Sequence, residues 1–157
     1  MEVVLEIPVD ELQDEKMSSL NHSDLQTRLG FLLMSAYRQQ YSIYTELDFK
    51  FASGKTRPDL CIMPKRKVNW LTDEIVVEEV PITTIEILSP EQSLNSLTDR
   101  IYNKHFPAGV QTVWLVVPTV QTVSILLPNK TQLNFSQGII TDPVTNIQLN
   151  LSEIFEE

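Results

Sequence analysis

Cysteine is nearly absent from this 157-residue chain: Cys61 stands alone, so no internal disulfide can form. A lone thiol inside an apolar run reads as core and agrees with a reducing, cytoplasmic setting. Histidine is scarce as well. His22 and His105 are the only two, and neither lies in a thiol-protease motif. No apolar run approaches the ~18 residues of a membrane span, so no membrane partner is expected. The first residues, Met1 to Pro8, lack a basic segment followed by an apolar one, and no secretory leader is expected. There is no internal repeat and no low-complexity segment. Positive charge is short: 12 basic residues face 21 acidic ones, for a net charge of −9. That balance argues against nonspecific nucleic-acid binding. Its distribution weakens the argument. Glu2, Glu6, Asp10, Glu11, Asp14 and Glu15 crowd the start, and Glu153, Glu156 and Glu157 the end; the remainder holds 12 acidic against 12 basic residues. Lys50, Lys55, Arg57, Lys65, Arg66 and Lys67 cluster in the middle. They read equally as a solvated hairpin and loop or as a phosphate-contacting edge.

What remains is an ordinary globular composition, 42% hydrophobic, long enough for one domain with a real core. The division expected is an acidic arm over 1–19 and a single domain over 20–157. Val3, Leu5 and Ile7 alternate weakly within the arm, as in an edge strand. Leu25, Leu29, Leu32, Leu33 and Ala36 recur at helical spacing and predict a helix over 20–41, capped by Asn21 or Ser23. Gly30 inside it marks a weak point or a close approach. His22 and Gln26 are four apart on one face. They are candidates to line a site beside the sheet, with capping and surface positions the plainer reading.

A strand is predicted over 43–52, turning at Ser53-Gly54-Lys55 into a second strand that carries Asp59. Glu46 is the nearest further acid, a candidate for backing a metal ligand or touching the metal. Residues 64–79 are irregular, and Trp70 reads as a lid on the core, with stacking on a ligand the alternative. The strand over 81–89 carries Glu86. A helix over 93–107 follows, stopped at Ala108-Gly109-Val110. Val113 to Val117 and Val120 to Leu127 are too apolar for surface strands. Strand, helix and strand over 82–117 form a crossover that makes its two strands parallel. Weaker strands are expected at 131–135 and 147–150 around a turn at Gly138 and Asp142-Pro143, with a short closing turn at Leu151 to Phe155. The sum is α/β: a mixed sheet flanked by helices.

Asp59 and Glu86 stand out within it. Each is a carboxylate inside an apolar strand bounded by proline, which is costly unless the charge is paired or binds a metal. Two on pairing strands point to a shared cation. The plainer alternative leaves each at a strand end, meeting water or an arginine.

The ordered motifs Thr45-Glu46-Leu47, Arg57-Pro58-Asp59-Leu60, Ile85-Glu86-Ile87-Leu88-Ser89-Pro90, Ala108-Gly109-Val110 before Trp114-Leu115-Val116, and Leu151-Ser152-Glu153-Ile154-Phe155 resemble the Uma-type family of putative restriction endonucleases, within the PD-(D/E)XK nuclease superfamily. The likeness spans roughly residues 20–155. It implies a restriction-endonuclease-like core and a Mg²⁺-dependent (or Mn²⁺-dependent) endonuclease that hydrolyses DNA phosphodiester bonds. Asp59, Glu86 and the backbone carbonyl of Ile87 would hold the metal. The superfamily lysine two positions after the glutamate is Leu88 here. The resemblance moves that role to the following helix, where Arg100 and Lys104, four apart, would share a face. The other function carried by these residues is a catalytically inactive nucleic-acid-binding or assembly module that keeps the fold. Cleavage of both strands needs two centres, so a homodimer is expected, with 120–127 and 131–135 at or beside its interface.

Overall fold

The structure, a computed structural model, describes residues 19–156. All but the last residue of the expected acidic arm lies outside the described residues. Helix α1 spans Leu20–Tyr37, capped by the Ser19 side chain, which accepts the His22 N–H at 3.1 Å. The cap therefore sits ahead of both predicted ones, and the helix ends before 41 because Tyr41 already opens a strand. Strands β1 (Tyr41–Thr45), β2 (Phe49–Phe51), β3 (Gly54–Thr56), β4 (Leu60–Pro64) and β5 (Thr83–Ile87) follow. Then come helix α2 (Leu94–Arg100), a π-helical segment (Ile101–His105) and a short helix α3 (Phe106–Ala108), ended by Gly109 at φ 112°. That left-handed cap is the stop its glycine predicts. Strands β6 (Thr112–Val117), β7 (Thr122–Leu126), β8 (Gln132–Phe135), β9 (Ile139–Thr141) and β10 (Gln148–Asn150) and helix α4 (Leu151–Phe155) complete the chain.

Six strands form one mixed sheet in the order β1-β4-β5-β6-β7-β8. Among its described strands only β5 and β6 run parallel to each other, as the helical crossover between them requires. The single strand predicted over 43–52 is two. Glu46, at φ 49°, breaks it: β1 stays in the large sheet, while β2 turns away to pair with β3. Phe49 and Phe51, two apart and therefore on one side, are both buried by that departure. The strand predicted to begin at 120 starts at Thr122, because Pro118–Val120 makes a 3-10 turn. Ile139–Thr141, predicted only as part of a turn, pairs with β10 as a separate hairpin.

Each face of the sheet carries its own core. On one, Leu60, Ile62, Ile85, Ile87, Trp114 and Val116 meet Leu25, Leu29 and Leu33 of α1. On the other, Cys61, Met63, Val113 and Leu115 meet Leu97, Ile101, Phe49 and Phe51. The alternation along β4 and β5 assigns these faces, and each fully buried leucine contributes about 2 kcal/mol. Trp70 covers neither core. It is 91% exposed, within a loop where Leu71 and Ile75 are exposed too, so its reading as a lid is corrected.

Candidate active site

Asp59 sits immediately before β4, after Pro58. The antiparallel register pairs Leu60 with Ile85 and Cys61 with Thr84, so its continuation sets Asp59 opposite Glu86. Pairing does not continue in the ordinary way. Leu88 N–H donates to Val116 O at 2.9 Å, toward β6, so the alternate residue Ile87 turns its main chain toward β4. There the Asp59 side chain replaces a strand: its Oδ2 accepts the Ile87 N–H at 2.7 Å. The carbonyl of Ile87 points to the same side as its N–H, toward Asp59. Asp59 Oδ1 lies 3.0 Å from His22 Nε2, and the Asp59 carbonyl accepts the Glu46 N–H at 3.0 Å. A carboxylate with partners at both oxygens is affordable inside the fold; one left alone there is not.

Glu86 shares its face of β5 with Thr84, on the α2 side. Both are fully buried. His105 reaches them from the π-helical segment. Its Nδ1 lies 2.7 Å from Thr84 Oγ1, and its Nε2 3.4 Å from Thr56 Oγ1 and 3.9 Å from Glu86 Oε1. The edge of Phe51 closes against the ring, with centroids 6.3 Å apart at 77°.

The residues predicted for the site are thus distributed unevenly. Asp59, Glu86 and the Ile87 main chain come together at the end of the β4–β5 ladder. His22 joins them as a buried partner of Asp59, not a surface cap. Gln26 is half-buried and lines a groove with Phe31, Met34 and Leu47 between α1 and β1. The Glu46 side chain is exposed; what that residue gives Asp59 is its backbone N–H. Arg100 is buried at the end of α2. Lys104 is not beside it on a shared face: its Nζ donates to Lys55 O at 3.3 Å over the β2–β3 hairpin. An α-helix would stack residues four apart, and the widened turn breaks that phase. Arg57, next to the Pro-Asp pair, is exposed and held by Asp48 through Nε at 2.8 Å and Nη2 at 3.0 Å. That hydrogen bonding and the Asp48 charge raise its pKa. Burial pushes the Cys61 thiol up to about 12, which removes it as a nucleophile.

Sequence reasoning missed His105, Thr84 and Thr56. The helical spacing of Leu94, Leu97 and Ile101 continues to His105 or Phe106, so His105 reads as one more position of an apolar stripe; the available signal is a histidine among only two in the chain, on the helix that follows the Glu86 strand.

Among the described residues, no group of three or more His, Cys, Asp and Glu side chains could hold a metal ion. The donor set still suits Mg²⁺, which takes one or two carboxylates and leaves other positions to water and phosphate. Asp59, Glu86 and the Ile87 carbonyl are hard oxygen donors of that kind. Among the described residues, no helix is long and apolar enough to cross a membrane.

A family model described as Uma2, putative restriction endonuclease, matches residues 2–152. A crystal structure described as a putative nuclease belonging to DUF820, from Anabaena variabilis, superposes with a TM-score of 0.77. It is 24% identical, and the alignment covers 89% of this chain and 83% of that one. At that identity the likeness speaks for the fold. A DrdV–DNA complex aligns at a TM-score of 0.39 and 12% identity, over 73% of this chain and 12% of that one, too weakly to carry an argument. No curated protein matches.

Proposed function

We propose a function on one premise: the chain belongs to the Uma2 family of putative restriction endonucleases. The proposal is a Mg²⁺-dependent, or Mn²⁺-dependent, endonuclease that hydrolyses DNA phosphodiester bonds. The observation that carries it is the placement of Asp59 opposite Glu86, at the point where the ladder ends and the Ile87 main chain turns toward Asp59. Asp59, Glu86 and the Ile87 carbonyl are the proposed metal ligands. A divalent cation bound there supplies an activated water and neutralises charge on the phosphate. Arg100, buried on the helix over the Glu86 face, is the proposed phosphate contact. Lys104 joins the exposed Lys50 and Lys55 at the β2–β3 hairpin, whose Thr56 touches His105. Those three cations suit the backbone of a DNA strand lying over the hairpin, where neutralised phosphates drive binding.

A second reading has an observation of its own. Both carboxylates are fully buried, and both Asp59 oxygens have partners. That arrangement favours a nucleic-acid-binding module that keeps the fold without turnover. Incubation of supercoiled plasmid with the protein in Mg²⁺, in Mn²⁺ and in chelator separates the two. The nuclease reading expects nicked or linear DNA with either metal, none in chelator, and none from Glu86→Gln. Binding of the plasmid without cleavage in any metal selects the second reading.

A further inference from the structure

We propose that His105 is a positioning residue for Glu86, delivered by the π-helical turn to a place beside Thr84 and Glu86 on the α2 face of β5. The proposal deepens the metal-nuclease reading and takes its functional meaning from it. The first link is helical phase. In the Ile101–His105 segment the bonding runs from i to i+5, as Phe106 N–H donates to Ile101 O. One extra residue per turn rotates Lys104 outward and His105 inward. Arg100 and His105, five apart, are both buried, at 6% and 0% exposure, while Lys104 lies over the hairpin. An irregular turn of this kind is held only where packing or function requires it, and such turns recur at functional sites.

The second link is the orientation of the ring. Thr84 stands two residues before Glu86 on the same face of β5, and its hydroxyl is 2.7 Å from Nδ1. If Nδ1 carried the proton, Nε2 would present a lone pair to the Glu86 carboxylate, and the two would repel. With Thr84 donating to Nδ1, the Nε2–H instead faces Thr56 Oγ1 at 3.4 Å and Glu86 Oε1 at 3.9 Å. The latter distance exceeds a hydrogen bond, so the ring steers the carboxylate by its field and by a contact that a small shift closes. The third link is rigidity. Thr84, Thr56 and Phe51 fix the imidazole from three sides, so the position of Glu86 is set by groups that are themselves held. Loss of a partner of this sort typically costs about 10–100-fold in metal affinity.

Two measurements test this. Long-range proton–nitrogen NMR spectra of the metal-free protein resolve two histidines, distinguished by His22→Gln. His105 is expected as the Nε2–H tautomer, with its nitrogen shifts displaced in Glu86→Gln and in Thr84→Val. A Nδ1–H tautomer, or shifts indifferent to Glu86→Gln, overturns the proposal. Calorimetric titration with Mn²⁺, on variants whose melting confirms folding, is the second. His105→Leu is expected to weaken Mn²⁺ binding about tenfold or more, and His105→Gln, which keeps a donor near Nε2, to recover it to within about threefold. Wild-type affinity in folded His105→Leu contradicts the proposal. If His105→Leu does not fold, Thr84→Val carries the same test, with weakened binding expected and unchanged binding contradicting. A wild-type protein that binds no Mn²⁺ removes the metal reading, while the tautomer and its response to Glu86→Gln still decide the place of His105.

Discussion

Burial sets the chemistry available to each polar residue in this chain, and Cys61 shows the rule in its simplest form. Packed between β-strand neighbours on the α2 face, its thiol is pushed up to about 12 by burial. The unfolded thiol ionises near its ordinary value, while the folded one keeps its proton. The folded state therefore binds more protons above that value, and stability falls as pH rises. The contribution is intact below pH 9 and is lost progressively toward pH 12, at up to about 1.4 kcal/mol per pH unit. Denaturant melts of wild type and Cys61→Ala across that window check it: the alkaline decline is expected to be shallower in the variant, and parallel curves count against it. Asp59 and Glu86 follow the same rule, since a carboxyl buried this deeply must be matched by the groups around it. Their importance was legible because a carboxylate in an apolar strand is an anomaly that sequence displays directly. Their partners were not legible. His22 and His105 lie far from them in sequence, and only the register of β4 against β5 and the packing of two helices brings them close.

Helices and strands were readable where a local residue enforces them. Gly109 ends the second helical stretch because its φ of 112° suits glycine. The prolines at 58, 64, 81 and 90 bound the strands that carry the two acids. The π-helical turn was not readable, because Ile101-Tyr102-Asn103-Lys104-His105 suits an ordinary helix and the extra residue is imposed by what packs beneath. The break at Glu46 escaped for a related reason: Ile43 to Ala52 alternates well, and only the two destinations of β1 and β2 split it. Gly30 offers an element-scale test. A Cβ added there meets Leu60 Cδ2 at 3.8 Å and Thr45 Cγ2 at 4.0 Å, which is ordinary contact. Nothing in the fold requires its missing side chain. Gly30→Ala is expected to stabilise by about 0.5–1 kcal/mol, raising Tm by about 1–4 °C. A lowered Tm would mean that α1 approaches the sheet more closely than these distances give.

At the scale of the molecule, the mixed sheet and its helical flanks were legible from the order of the runs, because strand, helix and strand dictate a parallel pair. The exposed apolar loop at Trp70, Leu71 and Ile75 was not, since hydrophobic residues without periodicity carry no sign of which way they face. The homodimer remains a proposal, and the sheet order refines its location. Among the described residues β7 is enclosed between β6 and β8, and β8 is one edge of the sheet, with β1 the other; Leu133 on β8 is 41% exposed. An exposed edge pairs readily with another edge. Light scattering is expected to give twice the chain mass for wild type and the chain mass for Leu133→Lys. A wild-type monomer at high concentration contradicts the dimer.

Asp59 and Glu86, opposite each other where the β4–β5 ladder ends, are proposed to share a divalent cation. Titration of the metal-free protein with Mn²⁺ in a calorimeter, in the absence of DNA, tests this most directly. Wild type is expected to bind one Mn²⁺ per chain, and Asp59→Asn, with its fold verified by melting, to lose that binding. Equal Mn²⁺ affinity in wild type and Asp59→Asn, or none in wild type, contradicts the claim.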